Sequence, residues 1–187
     1  MMLRTFALTL CVLAALSSAA PAQSTAEHAI DTAKSHAQFS ISHVFVGHVT
    51  GAIPIASGSV EMRPGSSIPL KATAVLDAAK FDTGDQDRDA TMTGPNYFDA
   101  KSFPTWTFTS TKIIETGPAS FTMDGNLTLH GVTQPEHLDV TVGGDATHPV
   151  YHATGHIDRR SWGMKGTRLD PAIGGVADVT LDVVLGR

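Results

Sequence analysis

The end of the chain alternates. Ala177, Val179, Leu181, Val183 and Leu185 are apolar, while Asp178, Thr180 and Asp182 between them are polar. Successive side chains of a strand point to opposite faces, so this pattern fits a strand with one face in a core and one in water. The same period recurs upstream. Ala37, Phe39, Ile41, His43 and Phe45 share one parity, and Phe121, Met123, Gly125, Leu127 and Leu129 another. Leu138, Val140 and Val142 form a further set. Val49 to Met62 (interrupted near Pro54 and Gly58), Leu70 to Ala78, Trp106 to Ile114 and Tyr151 to Arg159 complete the series. Gly, Pro, Asp and Asn punctuate these runs, which gives about eight antiparallel strands. Only Asp85 to Ala100 departs, with the polar start and aromatic end of a short helix plus loop.

So many antiparallel strands must manage their edges, and closing into a barrel removes them. The fold class expected is all-β, an eight-stranded antiparallel β-barrel with a short helix or loop near one end. A β-sandwich is the alternative at this length. Aromatic residues are only 6% of the chain, and Ala37, Ala74, Ala78, Gly125, Ala153, Gly155 and Ala177 fall in the inward sets. Small inward residues leave space, and an unfilled apolar space costs stability unless something occupies it. Ordinary alternation of small and large side chains is the competing explanation.

The start of the chain reads differently. Arg4, the apolar run Phe6 to Leu16 and the small-x-small sequence Ala20-Pro21-Ala22 have the form of a secretory signal peptide. Residues 1–22 are expected to be removed, leaving 23–187 as one domain. The apolar run is short of the ~20 residues that span a bilayer, so no stable membrane anchor is expected. Cys11, the only cysteine, leaves with the signal, and with it any disulfide or thiolate chemistry. The formal net charge is −5 and Lys and Arg are nowhere clustered. That argues against a nucleic-acid partner, which needs a basic face.

No motif points to catalysis or to a metal. With Asp85 as the first position, a calcium loop would hold Ala90 where Gly is needed and Asn96 where the closing carboxylate belongs. Asp87 or Asp89 capping the short helix, with Arg88 paired to a neighbouring carboxylate, is the simpler reading. His148, His152 and His156 share a parity but lie about 13 Å apart from neighbour to neighbour along a strand. His36, His43 and His48 would need a favourable bend. There is no Gly-x-Ser-x-Gly elbow. The protein is not expected to be an enzyme, and no cofactor or metal is expected. A hydrolase of lipid-like substrates and a metal-binding stress-response scaffold are the alternatives.

Several segments are distinctive in combination. These are Ile30-Asp31, Ser35-His36 with Phe39 and His43, Asp82-Thr83-Gly84, Arg88-Asp89 and Phe98-Asp99-Ala100 with Phe103-Pro104. Phe108-Thr109-Ser110-Thr111, the run from Gly125 to Thr133 and Arg160-Ser161-Trp162-Gly163-Met164 follow. His130-Gly131-Val132-Thr133 within that run has the form of a hairpin turn. Together they resemble the YceI-like family, lipocalin-like exported proteins that bind polyisoprenoids. The chain departs in having Ser35-His36 where the family tends to have His-Ser, Thr91 where a His is usual, and Trp162 where Phe is usual.

The resemblance implies a barrel with a long hydrophobic pore, a periplasmic location and a bound long-chain isoprenoid, such as a polyprenyl phosphate or an isoprenoid quinone, or a similar amphiphile. A homodimer is left open. Parity selects Phe39, Ile41, Leu76, Trp106, Phe108, Leu127, Leu129, Ile157, Trp162, Leu181 and Val183 as pore-lining residues. Enlarging Gly125 to Trp is expected to block the pore while leaving the fold intact.

Overall fold

The structure, a computed structural model, describes residues 25–145, 148–164, 166 and 170–186. The signal-peptide reading of residues 1–22 lies outside them. Among the described residues ten strands form one antiparallel sheet. They are β1 (Ala26–Ala29), β2 (His36–His43), β3 (Gly47–Ala52), β4 (Ile55–Met62), β5 (Pro69–Asp77), β6 (Thr105–Gly117), β7 (Ser120–Leu129), β8 (Val132–Asp145), β9 (His148–Asp158) and β10 (Ile173–Val184). The α-helix among the described residues, α1 (Gln86–Met92), falls between β5 and β6.

The order across the sheet is β1-β4-β5-β6-β7-β8-β9-β10-β2-β3, a curled half-barrel. Ten strands stand where the alternation indicates about eight, and the difference has two sources. β1 has four residues and precedes the first periodic run. The run from Val49 to Met62 is two strands, because it changes partner at Ile53-Pro54. β3 pairs with β2 and β4 pairs with β5. Proline has no N–H to give a ladder, so a strand switches or stops there. The Pro54 carbonyl accepts from Asp77 N at 2.8 Å, and Ile53 N donates to Ala37 O at 3.0 Å. Bridges at Ile30–Leu185 and Ala52–Asp82 tie the terminal strands to the rest.

The β7–β8 connection is the two-residue turn His130-Gly131. Their φ angles are 52° and 72°, the left-handed pair that matches the twist of a tight hairpin. The helix is capped by Asp85, whose side chain accepts from Arg88 N at 3.1 Å, not by Asp87 or Asp89. Asp89 instead accepts from Thr83 N and Oγ1, at 3.0 and 2.6 Å. Arg88 donates to Thr83 Oγ1 and lies 3.9 Å from Asp85 Oδ2. These contacts fix the segment between β5 and β6 against itself.

The concave face carries two apolar clusters. One, toward the helix end, is built on Leu76, Phe81, Phe98, Trp106, Leu129 and Trp162. The other is built on Ile30, Val60, Met62, Phe121, Val140 and Tyr151. Ala37, Ala74 and Phe108 pack against both. On the convex face polar residues pair across strands. Asp178 and Asp182 on β10 stand opposite His156 and His152 on β9, each pair 2.8 Å apart.

Candidate functional site

The inward parity of β2, β5, β6, β7, β9 and β10 converges on a cavity of about 160 Å³. Phe39, Leu76, Trp106, Phe108, Leu127, Leu129, Ile157 and Leu181 all line it. A second cavity of about 80 Å³ lies on the side away from the helix, and Val183 lines that one. Ala74, Phe108, Leu138 and Leu181 belong to both walls. The two chambers therefore adjoin, with these four side chains common to both walls.

Two residues selected by parity stand elsewhere. Ile41 is half-buried opposite Val49 and Ala177, beyond the cavity walls. Trp162 is 1% exposed and packs into the cluster at the helix end. It sits in the single-turn helix Arg159–Trp162, not on a strand. Its Nε1–H donates to Leu127 O at 3.3 Å. His130 Nδ1 lies 3.1 Å from Trp162 O, and Gln134 Nε2 donates to Ser161 O at 3.0 Å. Trp162 therefore locks the turn segment under the β7–β8 hairpin.

The helix end of the cavity is walled by a chain of rings. Phe39 stacks on Phe81 at 5.2 Å between centroids, and Phe81 meets Phe98 edge-on at 4.9 Å. Phe98 meets Trp106 edge-on at 4.9 Å. Such pairs add ~0.5–1.5 kcal/mol each beyond their burial. Phe81 and Phe98 lie between β5 and β6, outside every alternating run, so parity has no hold on them. Phe98 is marked by the Phe98-Asp99-Ala100 segment, and Phe81 only as a bulky apolar residue in a polar stretch.

Trp106 Nε1 is buried without a hydrogen-bond partner among the described residues, an uncompensated cost for a polar group in an apolar setting. Two charged residues also reach the cavity. Arg159 is 4% exposed, and its Nε and Nη2 donate to the carbonyls of Gly174 and Ile173 at 2.8 and 3.3 Å. Glu136 shares the inward parity of Leu138 and Val140 on β8. Burial pushes its carboxyl above the usual carboxylate range, against the adjacent amide of His137 and the nearby His156 and His137 rings. A charged residue at an inward position breaks the apolar pattern, and that break was the available signal for it.

Gly125 does not offer the space assigned to it. A Cβ there would run into the Phe108 ring and lie 2.8 Å from Thr109 O. Enlarging it to Trp would displace Phe108 and would not leave the packing intact.

Among the described residues no group of three or more His, Cys, Asp or Glu is placed to hold a metal ion. No helix among them is long and apolar enough to cross a membrane.

Comparison with known proteins gives the same architecture. The chain is 35% identical over 116 residues to a UPF0312 protein of Vibrio vulnificus, a match covering 61% of each chain. It is 27% identical over 169 residues to a UPF0312 protein of Shewanella oneidensis, covering 88% of each. The crystal structure of Burkholderia cenocepacia BcnA superposes with a TM-score of 0.75 at 23% identity, covering 83% of this chain and 98% of that one. A polyisoprenoid binding domain from Saccharophagus degradans, implicated in plant cell wall breakdown, superposes with a TM-score of 0.66 at 17% identity, covering 84% and 97%. Residues 28–185 match the YceI-like domain, and the chain belongs to the YceI-like family.

Proposed function

We propose that this protein is a non-enzymatic lipid carrier. It holds a long-chain isoprenoid, such as a polyprenyl phosphate or an isoprenoid quinone, or a similar amphiphile, inside a lipocalin-like barrel. Export to the periplasm, with removal of residues 1–22, places it where such lipids must cross water. The observation that carries this reading is the pair of adjoining apolar chambers of about 160 and 80 Å³.

Apolar cavities of about 150 Å³ stay dry and accept a small hydrophobe. The larger chamber alone has room for a few carbons. A long tail needs both chambers, so it must turn aside Phe108 and Leu181, which stand in both walls. Each methylene drawn from water gains about 0.8 kcal/mol. Several methylenes are enough to offset the rotamer cost of turning those side chains aside. The polyisoprenoid-binding relative in Saccharophagus supports the same ligand class.

The test is mass spectrometry of an organic extract of the purified protein. A stoichiometric long-chain lipid is the expected result. A lipid-free protein that takes up no isoprenoid when offered one in detergent would overturn the reading.

A further inference from the structure

We propose that the ligand's head group is uncharged or cationic, donates a hydrogen bond to the Glu136 carboxylate, and is not a phosphate. This inference rests on the lipid-binding reading above and narrows it to the similar amphiphiles named there, setting aside the phosphate and the quinone, whose carbonyls only accept hydrogen bonds.

The argument begins with the strand. On β8 the outward positions Thr133, Pro135, His137 and Asp139 are exposed, and the alternate positions turn inward. Glu136 is in the inward set and lines the larger chamber with Leu127, Leu138 and Ile157. Its cross-strand neighbour on β7 is Gly125. That neighbour has no side chain to lay over the carboxylate, and the Phe108 ring occupies the space beside it. A carboxylate is thus presented to a chamber that is apolar apart from Gln38 and Arg159.

The protein compensates it only in part: the His137 backbone N–H and the His156 and His137 rings favour the charge, and burial outweighs them. Glu136 has no ion-pair partner among the described residues. Arg159 lines the same chamber, but its guanidinium is turned to the Gly174 and Ile173 carbonyls. His137 and His156 lie on the convex face, where they engage Asp124 and Asp178. Removal from water penalises the charge on Glu136. A half-buried charge with no ion-pair partner is costly, and a ligand group that donates to it restores part of what the lost water supplied. A hydroxyl, an amide or an ammonium does this. A phosphate brings a second negative charge to the same poorly screened place, and like charges there repel strongly.

The experiment uses the full chain stripped of lipid. It is titrated with geranylgeraniol, geranylgeranylamine, geranylgeranyl phosphate and the corresponding hydrocarbon without a head group. Wild type is expected to bind the alcohol and the amine about tenfold more tightly than the phosphate, a difference of about 1.4 kcal/mol. Glu136→Leu should lose that preference while binding the hydrocarbon as wild type does. Glu136→Gln, which keeps the shape without the charge, should gain about tenfold in affinity for the phosphate. Phosphate as the tightest ligand of wild type, or a preference that survives in both variants, overturns the head-group inference and leaves the lipid reading in place. Failure of all four probes to bind wild type overturns the lipid reading and the inference with it.

Discussion

The Phe108 ring on β6 fills the volume that a side chain on Gly125 of β7 would need, although the two residues are not direct cross-strand partners. Gly125 stands opposite Ser110, and Phe108 opposite Leu127. The ring leans one pleat along the sheet and covers the glycine. Gly125→Ala is therefore expected to destabilise the fold by ~1–3 kcal/mol, the usual cost of overpacking a filled site. Urea unfolding of Gly125→Ala, Phe108→Leu and the double variant checks this. The double variant should cost less than the sum of the two, because Phe108→Leu frees the space the new methyl needs.

Ala177 is the better place for a plug. It lines the larger chamber opposite Ile157 and Ile41, and its small side chain leaves room there. Ala177→Leu should abolish isoprenoid uptake while the melting temperature holds or rises, since it fills empty apolar space. Lipid occupancy measured beside thermal unfolding decides it. Full uptake by a stable Ala177→Leu protein would show that the chamber is not the binding space.

The two tryptophans should differ on truncation. Trp162 Nε1 is hydrogen-bonded to Leu127 O, whereas Trp106 Nε1 is buried without a partner. Trp162→Phe loses a hydrogen bond and ring volume together. Trp106→Phe loses the volume but also removes an unsatisfied donor. Trp162→Phe is expected to be more destabilising by ~1 kcal/mol. Denaturant midpoints of the two variants give the comparison directly.

His137 gives the convex face a pH dependence. Its pKa is raised from 6.5, chiefly by the hydrogen bond to Asp124 at 2.6 Å. A raised folded value means the protonated form is favoured by folding. The contribution is full below the ordinary histidine value and is lost as pH rises through the raised one. Both side chains are about half exposed, so it amounts to only a few tenths of a kcal/mol. An NMR titration should place His137 above 6.5. Asp124→Asn should bring it down and flatten the stability profile in that window.

Glu136 behaves in the opposite sense. Its folded pKa is raised by burial, so folding favours the protonated acid. Stability falls as pH rises from the unfolded value through the folded one. Above that window the charge works against the lipid-free fold. Lipid-free Glu136→Gln should be at least as stable as wild type at neutral pH, with the advantage vanishing at pH 4. Urea midpoints at the two pH values test the sign. A clear loss of stability in Glu136→Gln at neutral pH would contradict it.

The amino-acid sequence by itself determined that the chain is antiparallel β and which side chains share a face. Period-2 alternation is a local property, and pleating converts it into burial with no long-range information. Eight of the eleven parity-selected residues lie on one cavity for that reason. The tertiary structure alone decided the rest. Whether a run such as Val49 to Met62 is one strand or two depends on its partners, and those are far away in sequence. Ile41 has the right parity but the wrong height along its strand, and Trp162 belongs to a turn that docks onto β7. Gly125 looked vacant because sequence shows the absent side chain and hides the ring of Phe108 that fills its place. Phe81 and Phe98 obey no period. They reach the cavity only because the segment between β5 and β6 folds over the end of the sheet, where burying those rings offsets the cost of ordering the loop.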